Sequence, residues 1–269
     1  MNLEDLPAPQ LAEVRRRLVD TGEEAFAQAP ALPRFVDDAA ANAILTDLGN
    51  IPHAFVFGCL VDRQIPARLA WMVPLRIQER QGTLAMDALV GLSEHDWVRL
   101  LSEPTPAHRF CAPMGKILYR ATQRVANDYD GDASRIWSDR PASARLVRRF
   151  LEFDGAGPKI ATMAANILVR GFRIDVADRR YIDISADVQV RRVMARLGLV
   201  SSRATVEEVI YTARELSPDF PGVFDLALWE LGQRICRPRV PRCEMCFLRD
   251  CCTYALANEA GGTALDTSE

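Results

Sequence analysis

The chain has 269 residues, 49% of them hydrophobic, with a net charge of −3 and a pI near 5.8. That is enough chain for one large or two modest cores, and no apolar run approaches the roughly 18 to 20 residues of a membrane helix. The acidic start MNLEDLPAPQ is unlike a basic leader followed by an apolar stretch, so the expectation is a globular cytoplasmic protein, nucleoid-associated if bacterial; the acidic balance leaves only local groupings of arginines and backbone amides as a source of binding to a polyanion.

Taken in chain order, the elements are helical. Residues 9–20 carry apolar positions at helical spacing, and Gly22 is placed to end that helix. AFVFGCLVD from Ala54 reads as an apolar helix that stops before Gln64 and Pro66. SEHD from Ser93 and TVEE from Thr205 have the form of capping boxes. In FDGAGPKIA, from Phe153, two glycines allow a tight turn with positive φ, and Pro158 suits the first turn of the next helix. The amides of Gly155, Gly157 and Lys159 then stand at a helix N-terminus, an arrangement suited to phosphate, although GAG alone is equally a plain turn between packed helices.

FRIDVADRRYIDISAD, from Phe172, alternates poorly and reads as an excursion between helices rather than part of a sheet. Asp187 occupies the N-cap position of VQVRRVMARLG, which Gly198 closes. Residues 260–269, AGGTALDTSE, have the composition of a disordered tail. The expected class is all-α.

Lys116 and Lys159 are the only two lysines; every other member of the Lys+Arg set is arginine. Arginine replaces lysine readily as a surface charge but cannot serve where a neutral amine must act as a nucleophile. Each surviving lysine is therefore a candidate, with survival by drift as the plain alternative.

Five of the seven cysteines lie between residues 236 and 252. Cys236, Cys243, Cys246 and Cys252 follow C-x6-C-x2-C-x5-C, a set of soft thiolates able to enclose a metal centre. Both zinc and a [4Fe-4S] cluster accept four thiolates. Structural zinc usually pairs two short knuckles, whereas here one tight pair is flanked by two wider gaps. Cys251 competes for the fourth place, and the wider spacing favours Cys252. Cys59 and Cys111 stand in apolar surroundings as ordinary buried residues.

This cysteine spacing, with the RPRVPRC that leads into it, resembles the iron–sulfur loop of the endonuclease III family of DNA glycosylases. Three other stretches are similar to that family in its own order. FGCLVDRQ resembles an apolar helix ending in a glutamine at Gln64, FDGAGPKIA resembles its helix-hairpin-helix motif with both glycines and the lysine present, and SADVQVRRV matches at Asp187, Arg192 and Val193 the string that holds its aspartate.

The resemblance implies a two-domain helix-hairpin-helix glycosylase fold: a six-helix barrel over residues 51–170 ending in the hairpin, and an iron–sulfur domain made of 1–50 with 171–259, DNA bending across the two. It implies a monomeric base-excision DNA glycosylase, acting on duplex DNA with damaged bases or abasic sites and carrying AP lyase activity. Asp187 would stabilise a sugar oxocarbenium and Lys159 would attack C1′ and form an imine. Gln64 would fill the hole left by the extruded nucleotide, while Gly155, Gly157, Arg237, Arg239 and Arg242 would meet phosphates. Cys236, Cys243, Cys246 and Cys252 would hold a [4Fe-4S] cluster.

The chain departs from the family pattern in several places. Gln189 replaces a histidine, about twenty residues are added before the first matching helix, and the stretch before Asp187 is about ten residues longer, near 172–186, close to where the base pocket is expected. The family's leucine wedge has no obvious counterpart in CAPMGK, where Met114 is only a candidate. A monofunctional glycosylase of the adenine-mismatch type is the nearest alternative, and a DNA-binding iron–sulfur protein with little catalysis is the alternative from another class.

Overall fold

The computed structural model describes residues 5–28 and 32–262. Every regular element among them is a helix, and none is long and apolar enough to cross a membrane. The chain divides into two compact units, one of residues 29–177 and one joining the first 28 residues to those from 178 onward.

The first helix, α1 (Ala8–Ala27), runs straight through Gly22, contrary to the stop expected there. Gly22 is buried, and a Cβ on it would collide with the backbone carbonyl of Val223. Close approach of a second chain segment, rather than helix termination, is what that glycine serves.

The 29–177 unit is built around α3 (Pro52–Val61), whose ten residues are all buried. A helix apolar on every side has to be enclosed by others. Here α2 (Ala39–Thr46), α5 (Val73–Gln81), α8 (Cys111–Asp128) and α10 (Pro158–Arg170) pack on it. The remaining helices α4 (Ala67–Ala70), α6 (Met86–Val90), α7 (Glu94–Ser102) and α9 (Ser143–Leu151) belong to the same unit. Phe35, Phe55, Trp71, Trp137 and Phe172 form an aromatic cluster within this unit.

Residues 29–50, expected with the cysteine domain, group with this unit. The cause is local: α2 buries Ala41, Ile44 and Leu45 and lies against α3 and α5. The boundary at the other end falls at 177/178.

In the second unit α1 joins α11 (Val188–Leu197), α12 (Val206–Leu216), α13 (Asp225–Arg234) and α14 (Thr253–Gly262). Both capping boxes form, Ser93 with Asp96 and Thr205 with Glu208, and Gly198 closes α11 at φ 85°. Since α14 continues to Gly262, residues 260–262 are helical rather than tail, and the rest of the expected tail lies outside the described residues.

The segment 172–187 contains no strand, as its poor alternation indicates. From Asp178 onward it is tied down within the second unit. The Ile182 carbonyl accepts from Gly222 at 2.7 Å, Asp183 makes a two-pronged ion pair with Arg214 at 2.8 and 2.9 Å, and Ser185 N–H donates to Asp225 at 2.6 Å. Arg179 lies over the rings of Phe26 and Phe220. The extra length is thus spent on packing against α1, α12 and the turn before α13.

Candidate functional site

The hairpin lies between α9 and α10. Gly155 has φ 80°, a conformation that favours glycine, and a Cβ there would stand 2.7 Å from Ile117 Cδ1 and 2.8 Å from Arg63 Nη1. Gly157 differs from expectation. Its φ is −90° with ψ 180°, extended backbone open to any residue, and a Cβ on it would have nothing within 4 Å. Open space thus surrounds it at the N-terminus of α10, where it is the N-cap and Pro158 the first helical residue.

Lys159 follows, with its side chain 44% exposed. Its Nζ lies 3.6 Å from Asp62 Oδ2 and donates to the Asp62 carbonyl at 3.5 Å. Asp62 is the C-cap of α3 and is buried. Lys116 is on the surface of α8 and pairs with Glu94 at 3.4 Å.

Gln64 comes two residues after Asp62. It is exposed and sits at φ 57°, left-handed for a residue that has a Cβ. Such a conformation costs about 1–3 kcal/mol and persists where the surroundings impose it, most often at functional sites. Met114, by contrast, is 4% exposed on the inner side of α8, so it cannot serve as a wedge presented to a ligand.

In the other unit Asp187 caps α11. Its Oδ1 accepts from the backbone of Gln189 at 2.8 Å and of Val190 at 3.0 Å, leaving the other carboxylate oxygen without a role in the cap. One turn along, Arg192 donates to the Cys236 carbonyl at 2.8 Å, to the Gly232 carbonyl at 2.7 Å and to Gln189 Oε1. Gln189, where the family pattern has histidine, therefore helps hold Arg192.

Cys236, Cys243, Cys246 and Cys252 together line one small cavity of about 20 Å³, shared with Ile235, Pro241 and Tyr254. Burial pushes the Cys246 thiol up to about 11, and raises Cys243 and Cys252 as well. Cys251 is absent from that lining; its electrostatic neighbours are Arg17, Glu13 and Asp250. Among the described residues, no three or more His, Cys, Asp or Glu side chains converge on a point where they could hold a metal ion; the thiols surround a space instead. Cys59 is fully buried, whereas Cys111 is half-buried, its thiol donating to the carbonyls of His108 and Leu101 at 2.9 and 3.1 Å.

Arg196 ties this loop together. Its Nη1 donates to Cys236 Sγ at 3.3 Å and to the Arg237 carbonyl at 2.7 Å, and its Nη2 donates to the Pro238 carbonyl at 2.8 Å. The guanidinium also lies over the Tyr254 ring, 4.6 Å from the centroid. Arg237, Arg239 and Arg242 are exposed, and among the described residues none of them forms an ion pair. Sequence reasoning overlooked Asp62 and Arg196. Nothing in their local sequence marks either, because their partners lie 97 and 40 residues away.

No family model matches the chain. A stretch of 109 residues is 33% identical to endonuclease III of Thermotoga maritima, covering 40% of this chain and 46% of that protein. A stretch of 116 residues is 37% identical to an endonuclease III homolog of Encephalitozoon cuniculi, covering 42% and 43%. The similarity therefore spans about half the length of the curated relatives. Among solved structures, an endonuclease III trapped as a covalent intermediate with DNA superposes with a TM-score of 0.62 at 16% identity, covering 92% of this chain and 98% of that one. A thermostable thymine-DNA glycosylase gives 0.63 at 16% identity, covering 91% and 98%. At such identity the superpositions speak for the fold alone, the helix-hairpin-helix glycosylase fold, and the sequence similarity to endonuclease III is confined to about 40% of the chain.

Proposed function

We propose that the chain is a base-excision DNA glycosylase with AP lyase activity, a monomer acting on duplex DNA that contains damaged bases or abasic sites, in the cytoplasm or nucleoid. The observation that carries this reading is the placement of Lys159. It is an exposed lysine directly behind the glycine hairpin, and its amine is held at the end of α3, two residues from the strained and exposed Gln64.

A glycosidic bond within duplex DNA is out of reach of side chains, so the target nucleotide must leave the stack. Gln64 is suited to occupy the vacated space. Gly155 and Gly157 leave the α10 N-terminus open to a phosphate, and Arg237, Arg239 and Arg242 contribute positive charge that fixes the duplex without reading its sequence. Asp187 supplies a carboxylate to stabilise the oxocarbenium that develops as the base departs. Lys159 then supplies the amine that adds to C1′, and the resulting imine acidifies the C2′ proton and permits β-elimination.

Cys236, Cys243, Cys246 and Cys252 would hold a [4Fe-4S] cluster. Four thiolates of one loop gathered around a cavity suit such a cluster, and their soft donor set suits iron. When bound, it would serve as a covalent core for the loop that carries the three arginines.

Borohydride reduction in the presence of abasic duplex tests the reading. The wild-type protein and Lys116→Ala are expected to become covalently attached to DNA, and Lys159→Ala is expected to bind duplex without attachment. Attachment that survives in Lys159→Ala removes that residue from the role. Absence of attachment and of base excision across a panel of lesions, with duplex binding intact, would leave a DNA-binding protein.

A further inference from the structure

We propose that Asp62 positions Lys159 for imine formation and takes up the proton its ammonium must lose; this rests on the lyase reading of Lys159 given above.

The pairing is uneven. Lys159 is 44% exposed at its side chain and Asp62 only 10%, so the carboxylate is enclosed while the amine reaches the surface. An exposed pair of this kind would be worth little, but a carboxylate taken out of water requires a partner for its charge. Both oxygens that approach Nζ, Oδ2 at 3.6 Å and the carbonyl at 3.5 Å, belong to Asp62.

Asp62 also stands where α3 ends, so the amine is drawn toward the carbonyl-rich, negative end of one helix while its own backbone begins another. The lysine is consequently fixed across two helices. A lysine serving only as solvated surface charge would have no need of such a clamp.

The other titratable groups nearby do not duplicate Asp62. Cys59, one turn back on α3, is fully buried, and both the Asp62 and Lys159 charges act on it. Arg63 lies beside Gly155, and the His108 ring faces the Val61 carbonyl at 3.2 Å. Among the described residues, Asp62 is the carboxylate that pairs with Nζ.

The step balances as follows. The Lys159 ammonium passes a proton to the Asp62 carboxylate, and the freed nitrogen lone pair bonds to the aldehyde carbon C1′, the carbonyl oxygen taking up a proton from nitrogen to give a carbinolamine. Asp62 returns its proton to the hydroxyl, which leaves as water while the nitrogen forms the iminium. The net change is aldehyde plus ammonium to iminium plus water, with Asp62 a carboxylate at both ends. Proton transfer needs about 2.6–3.2 Å between heavy atoms, a modest tightening of the ion pair of a kind usual when substrate arrives.

The test is the limiting rate of borohydride-trapped adduct at saturating abasic duplex, measured alongside duplex affinity and the thermal midpoint. Asp62→Asn is expected to lower the limiting rate by about 10² or more, in the range of a lost acid–base group, with affinity unchanged. Asp62→Glu, which retains a carboxylate, is expected to recover part of the rate. Should Asp62→Asn fail to fold, Asp62→Ser carries the same expectation. A wild-type limiting rate in the Asn or Ser variant overturns the proposal, as does a rate loss that only follows a loss of duplex affinity. If wild type does not trap, or Lys159→Ala still does, the lyase reading itself has failed; trapping lost in Lys159→Ala but intact in Asp62→Asn rejects the role of Asp62 alone.

Discussion

Arg196 donates to Cys236 Sγ at 3.3 Å, and through its own backbone carbonyl it accepts the Cys252 thiol at 3.4 Å. One residue of α11 thus touches the first and last cysteines of the loop, and it clamps the carbonyls of Arg237 and Pro238 as well. The loop that carries the exposed arginines owes its shape to a helix forty residues upstream.

Arg196→Ala removes this clamp. We expect protein purified without oxygen to be brown, with absorbance near ~400 nm and about four irons per chain in wild type, and the Arg196→Ala variant to lose iron faster to a chelator. Cys252→Ser should fail to retain the cluster while Cys251→Ser retains it, because Cys251 does not line the cavity and its thiol donates instead to the Leu248 carbonyl at 3.4 Å. Stoichiometric zinc in place of iron would contradict the assignment.

Arg239→Ala and Arg242→Ala should each weaken duplex binding regardless of sequence. Each should reduce the slope of log K against log salt by about one unit, as for the loss of one phosphate contact. Titrations at several salt concentrations give the slope directly. A slope unchanged in both would mean that the loop does not face DNA.

Three glycines should separate in their response to alanine. Gly22→Ala gains about 1 kcal/mol of helix propensity, but its Cβ meets the rigid Val223 backbone, so unfolding in urea should show a net loss. Gly155→Ala should also be destabilised, by φ 80° and by contact with Ile117 and Arg63. Gly157→Ala should leave stability unchanged, since its Cβ has open space, while weakening duplex binding by crowding the α10 N-terminus.

Two buried histidines should make stability fall in mild acid. His53 Nε2 meets the Leu84 carbonyl at 2.7 Å, and burial lowers its pKa. His108 accepts the Phe110 N–H at Nδ1 at 2.9 Å while Nε2 meets the Val61 carbonyl, a pair of bonds that the neutral Nε2–H ring satisfies; burial lowers its pKa too. With the folded-state pKa depressed below the ordinary 6.5, the unfolded chain binds protons first as pH falls, so stability is present above that value and declines through the folded pKa. Thermal midpoints from pH ~7 to ~5 should fall in wild type and fall less in His108→Gln.

The sequence by itself determined the all-helical class, both capping boxes and the closing of α11 at Gly198, because each depends on residues within a few positions of one another. Hydrogen bonds between a cap and its own first turn are local physics. Its errors arose where a residue answers to a distant partner. Gly22 looked like a terminator because only the fold brings the Val223 carbonyl against it. Met114 looked available because only packing turns it inward. Residues 29–50 were assigned to the wrong neighbours because α2 is held by burial against α3 and α5. The extra length before Asp187 carries no local sign of where it packs, because Arg214 and Asp225, which receive it, lie 31 and 40 residues along the chain from their partners. Asp62 and Arg196 carry no local mark, since burial and long-range hydrogen bonds depend on how the helices assemble, and only the tertiary structure decides which side chains the chain brings within 4 Å.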